Sequence, residues 1–495
     1  MIDSGWLADL AALRQAQFDL PLPFTISFPE GSEKSRRRLV CRKLLRLIPG
    51  KRMVCTALWG GQDVVVKLFL DPRKAERHFK RELAGVNALF AAAIKTPALL
   101  FSGSVFAGSL PLIIFTEIKP AATLVDLWFE GAGYDERQAL LERVCAKIAE
   151  HHKAGLLQSD IHWSNFLFSN DDVYTIDGDS VTNRSSGIEL GRKSSLANLA
   201  LFLAEPYSGI DDFLTALWQH YCGCRGWPVA ADEIKNLRSL IAGYRRYKVE
   251  KFVAKSQRSC TAFQALQENG FYSVYDRSYQ CPALAELLQR PDEMMAGGEI
   301  LKAGNSATVV RLKLAGLDLV VKRYNIKNLK HAGKRSLRPS RAAVSWKMGQ
   351  RLTWWQITTP KPVAMLEKRV LGLRSTAYFV SEYIDGSLAY DCLRQPGLPA
   401  AELADWLEQF AILLRRLRDS GLTHGDFKAT NFLCGVDAKL YLIDLDAMRY
   451  WSKPGSAFKR AVKRDYKRLL ANWQDMPEIK RSFQNIIKNL QSDNF

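Results

Sequence analysis

Short apolar segments alternate with turn residues near the start of the chain, a pattern that predicts a β-rich region over about residues 21–70. The dipeptides Pro49-Gly50 and Gly60-Gly61 supply turns between the segments. The predicted strands are Phe24–Phe28, Arg38–Val40, Met53–Leu58 and Asp63–Leu70. Apolar residues then recur at helical spacing from Lys74 to Ala93, and Leu112–Ile118 predicts a buried strand ahead of a mostly helical remainder.

The second half of the chain repeats this order. Strands are predicted within Glu299–Val321 and at Ala377–Ile384, and helices at Ser340–Leu352 and Ala400–Arg418. Pro291 and Gly297-Gly298 interrupt the pattern, so the boundary is placed there and the predicted domains are 1–285 and 286–495. The fold class predicted for both is α+β, with a small β-rich lobe leading into a larger helical lobe.

One set of polar residues occurs in each half. An Asp is followed five residues later by an Asn, a short hydrophobic hairpin then ends in a second Asp, and an upstream β-branched run ends in a Lys. The first copy consists of Lys67, Asp160, Asn165 and Asp177, and the second of Lys322, Asp426, Asn431 and Asp444. A single Asp and Asn pair is more often turn capping. Two ordered copies instead predict two kinase-like domains in tandem, because ATP-dependent phosphoryl transfer uses this set of groups.

Each residue type suits a distinct step of that chemistry. Asp160 and Asp426 would accept the proton of the acceptor hydroxyl or orient it for attack. The two lysines would hold the α- and β-phosphates of ATP. His162 and Lys428, two residues after the predicted bases, could place a donor or a cation near the transferring phosphoryl group. The predicted Mg²⁺ ligands are Asn165 and Asp177 in the first half, and Asn431 and Asp444 in the second.

The charge of the chain is strongly positive and unevenly distributed. The net charge is +19, and roughly +14 of it lies from about residue 286 onward. Between Arg323 and Leu366 the sequence contains no Asp or Glu, and a second basic run spans Lys34 to Lys43. Such a field attracts polyanions, of which an anionic glycolipid or membrane surface is favoured here, because no nucleic-acid-binding module is recognised.

Composition excludes several classes of protein. A hydrophobic content of 47% is too high for a disordered chain, and no stretch of eighteen apolar residues predicts a membrane span. The first residues lack the pattern of a secretory signal, so a cytoplasmic location is expected. The nine cysteines have no metal-site spacing and are expected to be reduced, mostly buried residues.

The chain resembles the lipopolysaccharide kinases of the Kdo/WaaP type, within the wider protein-kinase-like superfamily. The resemblance rests on Val66–Phe69, Phe79–Gly85 and Asp160–Asp179 in the first half, and on Val321–Asn325, Thr359–Pro362 and His424–Asp446 in the second. It implies that the acceptor is a sugar hydroxyl, a heptose of the lipopolysaccharide inner core. It also implies a peripheral location at the inner face of the inner membrane, and that Asp465 braces the catalytic loop.

Each half departs from the superfamily pattern. The first half has Gln158 where His or Tyr usually precedes the catalytic Asp, and Asn198 at about the place of Asp465. It keeps Glu82 as the predicted helix partner of Lys67, with Glu76 as the fallback, whereas Lys322 has no obvious helix Glu. Neither half has a Gly-x-Gly-x-x-Gly loop, so phosphate binding is expected to use backbone amides at Gly50 or Gly304, with Lys51 or Lys302 beside them.

The sequence leaves alternatives open. A kinase of small molecules or of proteins would use the same catalytic residues. A catalytically silent pair of kinase-like domains could serve as an adaptor that binds an anionic glycolipid or a partner. The sequence does not determine which half transfers phosphate, which sugar position is modified, or the oligomeric state.

Overall fold

A computed structural model describes residues 5–17, 20–28, 38–131, 133–183, 187–207, 209–230, 232–325, 339–370 and 373–492. The chain divides into two compact units, Met1–Arg245 and Arg246–Phe495. Both have mixed α and β structure. Most of the predicted basic runs, including Lys34, Arg36 and Arg37 and the lysines and arginines of 327–338, lie outside the described residues.

The first unit contains twelve strands and seven helices among its described residues, the last helix continuing past Arg245. Its strands are β1 Trp6–Leu7, β2 Phe24–Ser27, β3 Arg38–Ile48, β4 Arg52–Trp59, β5 Gln62–Phe69, β6 Leu99–Val105, β7 Leu110–Thr116, β8 Ala122–Thr123, β9 Leu156–Gln158, β10 Phe166–Ser169, β11 Asp172–Thr175 and β12 Val181–Asn183. Its helices are α1 Leu10–Gln15, α2 Ala75–Ala91, α3 Leu124–Phe129, α4 Tyr134–Lys153, α5 Arg192–Leu203, α6 Ile210–Arg225 and α7 Glu233–Lys255.

The second unit repeats this organisation. Its strands are β13 Phe263–Glu268, β14 Phe271–Asp276, β15 Glu299–Ala303, β16 Ala307–Leu314, β17 Leu317–Tyr324, β18 Pro362–Val370, β19 Leu373–Glu382, β20 Gly386–Leu388, β21 Leu422–Thr423, β22 Phe432–Gly435, β23 Leu440–Leu442 and β24 Arg449–Tyr450. Its helices are α8 Pro282–Gln289, α9 Pro291–Ala296, α10 Arg341–Trp354, α11 Ala389–Cys392, α12 Ala400–Asp419, α13 Ser456–Ala471 and α14 Pro477–Ser492.

Each unit is built on one seven-stranded sheet with two small sheets beside it. The strand orders are β1-β2-β3-β4-β5-β7-β6 and β13-β14-β18-β19-β17-β16-β15. In both sheets the strand that carries the predicted lysine lies inside the sheet, because β5 pairs with β4 and β7, and β17 pairs with β16 and β19. One long helix packs on each sheet, α2 in the first unit and α10 in the second.

The predicted elements are found with shifted ends. The helix predicted at Lys74–Ala93 is α2, and the one predicted at Ser340–Leu352 is α10. The strand predicted at Arg38–Val40 continues to Ile48. Its register against β4 shifts between Cys41 and Lys43 and again between Leu44 and Arg46. Those two shifts break the alternation of apolar and polar residues on which the prediction depended.

The compact units divide upstream of the boundary inferred from the sequence. The hairpin β13–β14 and helix α8 precede residue 286, yet β14 pairs with β18 in the second sheet. Leu284, Leu287 and Leu288 of α8 pack in the core of that sheet. Helix α7 crosses the division. The functional division into 1–285 and 286–495 stays a prediction.

All nine cysteines are free thiols, six of them buried. No helix within the described part of the chain is long and apolar enough to cross a membrane.

Candidate active sites

Lys67 of the first unit lies between two carboxylates. Its Nζ is 2.6 Å from Oε2 of Glu82 on α2 and 2.9 Å from Oδ1 of Asp177. Lys67 and Glu82 are both buried, with exposures of 8% and 1%. The fallback partner Glu76 is exposed and pairs with Lys80 instead. The strand-end lysine, the helix and the loop that carries Asp177 therefore meet through one ion-pair cluster.

The loop at Asp177 is held against α2 by a second set of contacts. Glu82 accepts hydrogen bonds from the backbone N–H groups of Gly178 and Asp179, at 3.0 and 3.1 Å. Burial would raise the pKa of Asp177, but the Lys67 ammonium and the Arg52 guanidinium outweigh it and hold the pKa well below its usual range. Asp177 therefore stays an anion beside Lys67 at neutral pH.

The loop with the predicted base Asp160 is tied to the same region. Asn165 Nδ2 donates to the backbone carbonyl of Asp160 at 3.0 Å, and Gln158 Nε2 donates to the carbonyl of Asp177 at 3.3 Å. Below the loop, Asn198 Nδ2 donates to the carbonyl of Gln158 at 2.9 Å. Asp160 itself is exposed. Burial lowers the pKa of the neighbouring His162, and Asp160 opposes that shift.

In the second unit Lys322 also meets two carboxylates, but both come from one loop. Its Nζ donates to Asp444, and it lies 3.3 Å from Oδ2 of Asp446. Helix α10 contains no acidic residue and instead provides Arg341, whose guanidinium is 2.6 Å from the same Asp446 oxygen. Asp446 therefore links Lys322 to the helix, the role that Glu82 has in the first unit.

The pKa values of the two loop acids move in opposite directions. Burial would raise the pKa of Asp444, but Lys322 outweighs it and the pKa lies below the usual range. Burial raises the pKa of Asp446, Lys322 opposes this, and the adjacent Asp444 adds to it. One lysine is thus shared between two carboxylates, of which Asp444 holds its negative charge more strongly.

The loop with the predicted base Asp426 rests on a charged brace. Asp465 of α13 accepts from the backbone N–H groups of His424 and Gly425, at 2.8 and 3.1 Å. His424 is fully buried, burial lowers its pKa, and its Nε2 is 3.0 Å from the carbonyl of Ile443, the residue before Asp444. The predicted brace Asp465 therefore contacts the loop of Asp426 by accepting hydrogen bonds from its backbone N–H groups. Asn198 of the first unit instead donates a hydrogen bond to a backbone carbonyl of its loop.

Two cations and an amide surround Asp426. Its carboxylate is 3.0 Å from Lys428 Nζ and 3.9 Å from Arg468, and 37% of its side-chain surface remains accessible. Asn431 Nδ2 donates to the backbone carbonyl of Asp426 at 2.7 Å. The backbone carbonyl of Asn431 also accepts a hydrogen bond from the backbone N–H of Ile443, at 3.0 Å. The predicted base is thus accessible, next to positive charge, and joined through Asn431 to the segment of Asp444.

Gly50 and Gly304 occupy turns at the edges of these regions. Gly50 lies in the turn between β3 and β4 with a φ of 64°, a conformation that favours glycine. Arg52, which follows this turn, reaches Asp179 at 2.9 Å. Gly304 lies in the turn between β15 and β16, and its carbonyl accepts from Asn325 at 3.3 Å. Each turn is therefore connected to the strand or loop that carries other predicted site residues.

The donor groups fit a nucleotide with a divalent cation. In each unit a carboxylate and an amide oxygen are the predicted ligands, and the amide nitrogen of Asn165 or Asn431 is already engaged by the loop. The described residues contain no cluster of three or more His, Cys, Asp or Glu side chains that could hold a metal alone. Mg²⁺ commonly takes one or two protein oxygens together with phosphates and waters, which this set can provide.

Several contacting residues were given no role in the sequence analysis. They are Arg52, Arg81, Asp179, Arg341 and Asp446. The sequence did contain a signal for the two acids, because an Asp follows the predicted metal ligand by two residues in both halves, at Asp179 and at Asp446. The arginines had no such signal, since Arg52 reaches the loop acid from the start of β4, whereas Arg81 and Arg341 reach it from α2 and α10.

Residues 298–489 match the model of the lipopolysaccharide kinase (Kdo/WaaP) family. The match covers well under half of the chain, lies in the second unit, and includes Lys322, Asp426, Asn431 and Asp444. A comparison with curated proteins found no match. The family is one of ATP-dependent phosphotransferases, so the predicted enzyme class is confirmed and ATP is the implied cosubstrate.

Proposed function

We propose that the protein phosphorylates a sugar hydroxyl of the lipopolysaccharide inner core, with a heptose as the acceptor and Mg-ATP as the donor. The observation that carries this proposal is the coincidence of the family match with the Lys322, Asp426 and Asp444 arrangement. The net charge of +19 supports a multiply anionic acceptor and a peripheral position at the inner face of the inner membrane.

In the proposed mechanism the second unit carries out the transfer. Asp426 accepts the proton of the sugar hydroxyl while the hydroxyl oxygen forms a bond to the γ-phosphorus. The bond from that phosphorus to the bridging oxygen breaks, so that ADP leaves, and Lys428 offsets negative charge beside Asp426. Lys322, held by Asp444 and Asp446, binds the α- and β-phosphates, and backbone amides near Gly304 support them. Asn431 and Asp444 would hold Mg²⁺, which supplies charge neutralisation on the phosphates.

The first unit is proposed to be a second kinase-like domain with the same assignments. Lys67 and Glu82 would hold the phosphates with the backbone near Gly50, Asn165 and Asp177 would bind Mg²⁺, and Asp160 and His162 would face the acceptor. The second unit is the favoured site of transfer, because it has the family match and the charged brace Asp465. The intact Lys67–Glu82 pair supports nucleotide binding by the first unit.

Transfer of label from γ-labelled ATP to dephosphorylated core lipopolysaccharide tests this proposal. We compare wild type with Asp426→Asn, Asp160→Asn and the double variant. Asp437→Asn is the matched control, because Asp437 is a carboxylate of the second unit that pairs with Lys439 and Tyr441. We expect label on the glycolipid, loss of at least about 100-fold in Asp426→Asn, and near wild-type transfer in Asp437→Asn.

Each other outcome has a definite meaning. Loss of transfer only in Asp160→Asn would assign the reaction to the first unit. Full transfer in the double variant would exclude both proposed bases. Label on the protein or on a free sugar, with none on the glycolipid, would replace lipopolysaccharide by another acceptor.

A further inference from the structure

Helix α13 has two faces of opposite character. Phe458, Val462 and Leu469 on the inner face are buried, and Asp465 on the same face braces the loop of Asp426. The outer face is exposed and consists of basic residues. We call this outer set the basic face, and its members are Lys459, Arg460, Lys463, Arg464, Lys467 and Arg468.

The spacing of these residues makes the basic face a single stripe. Pairs of cations recur every four residues, which places all six on one side of the helix. At 1.5 Å per residue the stripe is about 13 Å long. The only acid of α13 is Asp465, which is buried on the opposite face.

The arrangement is unfavourable for the helix itself. Cations four residues apart repel each other by a few tenths of a kcal/mol per pair, and α13 has four such pairs. Solubility alone would be served by the same charges dispersed over the surface or paired with acids. An aligned stripe that contains no acidic residue of its own therefore favours binding to negative groups.

The stripe ends at the predicted base. Arg468, its last member, is 3.9 Å from the carboxylate of Asp426, and Lys428 is 3.0 Å from the same carboxylate. A ligand lying along the stripe would thus have one end beside the atom proposed to accept the acceptor proton. A surface that only bound a bilayer would need no such connection.

We propose that the basic face binds the negatively charged groups of the acceptor, phosphates or carboxylates spread along a glycan, so that its hydroxyl reaches Asp426. This inference rests on the proposed function and adds the surface that selects a multiply anionic acceptor. Electrostatic attraction between a basic surface and an anionic ligand raises the local concentration of the ligand, and the attraction weakens with added salt.

The test uses the full chain with Arg460→Gln, Arg464→Gln and Lys467→Gln combined, which spares Asp465 and Arg468. Lys480→Gln, Arg481→Gln and Lys488→Gln on α14 remove the same charge and form the matched control. The probe is deacylated core oligosaccharide that keeps its carboxylates and other phosphates but carries no phosphate on the heptose. Its binding is measured by calorimetry, and its KM as the acceptor is measured in the transfer assay. We expect about tenfold weaker binding and a correspondingly higher KM for the acceptor, with kcat and the KM for ATP unchanged.

Unchanged binding in the α13 variant, or an equal loss in the α14 control, would overturn the inference. A second result would also overturn it: phosphatidylglycerol vesicles displace the oligosaccharide from wild type, and the α13 variant no longer binds these vesicles. The basic face would then be a membrane-binding surface. Failure of the proposed function is distinguishable, since wild type would then bind the oligosaccharide without transferring phosphate. Glutamine is a good helix former and the three α13 positions are exposed, so folding of the α13 variant should be retained.

Discussion

Lys67 and Lys322 occupy similar positions inside their sheets, but their carboxylate partners come from different places in the chain. Lys67 is held by Glu82 from α2 and by Asp177. Lys322 is held by Asp444 and Asp446 from a single loop, and Arg341 ties that loop to α10. A lysine whose neighbouring helix has no glutamate can therefore still be held by ion pairs, because the loop supplies the acids and the helix supplies an arginine that binds one of them.

This difference predicts unequal effects of two matched substitutions. Asp446→Asn removes a charged partner of both Lys322 and Arg341, so we expect the affinity of the second unit for Mg-ATP to fall by about tenfold or more. Asp179→Asn, the corresponding change in the first unit, leaves the Lys67–Glu82 pair in place and should have a smaller effect. Binding of a fluorescent ATP analogue to each variant measures both. Equal losses would show that Asp446 does not have the role of Glu82.

The residue types of the site were predictable, but their partners were not. Asp426, Asn431 and Asp444 were predicted as site residues from their order and spacing, which are local features of the sequence. The pairing of Lys322 with Asp446 spans 124 residues and depends on the packing of β17 against a distant loop. No short sequence pattern can reveal a pairing between residues that are so far apart in the chain.

Helix α2 touches the Asp177 loop at a point where neither side has a side chain. A Cβ built on Gly85 would lie 1.9 Å from the carbonyl oxygen of Gly178, far inside contact distance. Glu82, one turn earlier on the same helix, bonds to the Gly178 N–H at 3.0 Å. The absence of a side chain at Gly85 therefore sets how closely Glu82 approaches both the loop and Lys67.

Gly85→Ala should separate the helix from the loop. We expect the free energy of unfolding to fall by about 1–3 kcal/mol from overpacking, with weaker nucleotide binding by the first unit. Gly223→Ala on α6 is the control, because nothing lies within 4 Å of its Cβ position and alanine favours the helix by about 0.8–1 kcal/mol. Urea unfolding measures both variants. A Gly85→Ala protein as stable as wild type would mean that α2 can shift freely.

Two histidines at the end of α4 are part of the first unit's core. His151 is hydrogen-bonded to Thr175 and lies near Lys147, while His152 contacts Asn198 and Tyr221 and lies near Arg225. Burial lowers the pKa of His151 to about 3 and that of His152 to about 4. Both rings are therefore neutral in the folded protein at neutral pH.

Acid should destabilise the first unit through these rings. In the unfolded chain both would titrate near their ordinary pKa of about 6.5, so the unfolded state binds more protons as the pH falls from about 6.5 toward 4. Each ring then removes up to about 1.4 kcal/mol of stability per pH unit. Urea midpoints measured from pH 7.5 to 5 give the slope. His152→Gln should reduce it, and an unchanged slope in that variant would exclude this origin.

At the scale of the whole molecule, the extent of each unit follows from which strands share a sheet. Strand β14 pairs with β18 although nearly ninety residues separate them, as the pairing of Tyr275 with Ala364 shows. Trp346 of α10 donates from its indole to the carbonyl of Ser256 at 2.9 Å. The second unit therefore needs residues well before 286.

This predicts different behaviour for two fragments. A fragment of residues 246–495 should fold and unfold cooperatively in urea, because it retains β13, β14 and α8. A fragment of residues 286–495 should not, since it exposes the apolar surface around Trp346, Leu366 and Tyr378 that these elements cover. Far-ultraviolet circular dichroism during urea titration distinguishes them. Cooperative unfolding of the shorter fragment would place the physical boundary at residue 286 after all.

The sequence by itself determined the mixed α and β elements and their repeated order, and it predicted the acids, amides and lysines proposed for each candidate site. These depend on periodicity and on short spacings, which neighbouring residues in the chain control. Tertiary structure decided the partner of Lys322, the close approach at Gly85, the burial of His152 and the extent of the second unit. Each of these depends on contacts between residues far apart in sequence, and such contacts exist only once the sheets and helices have packed.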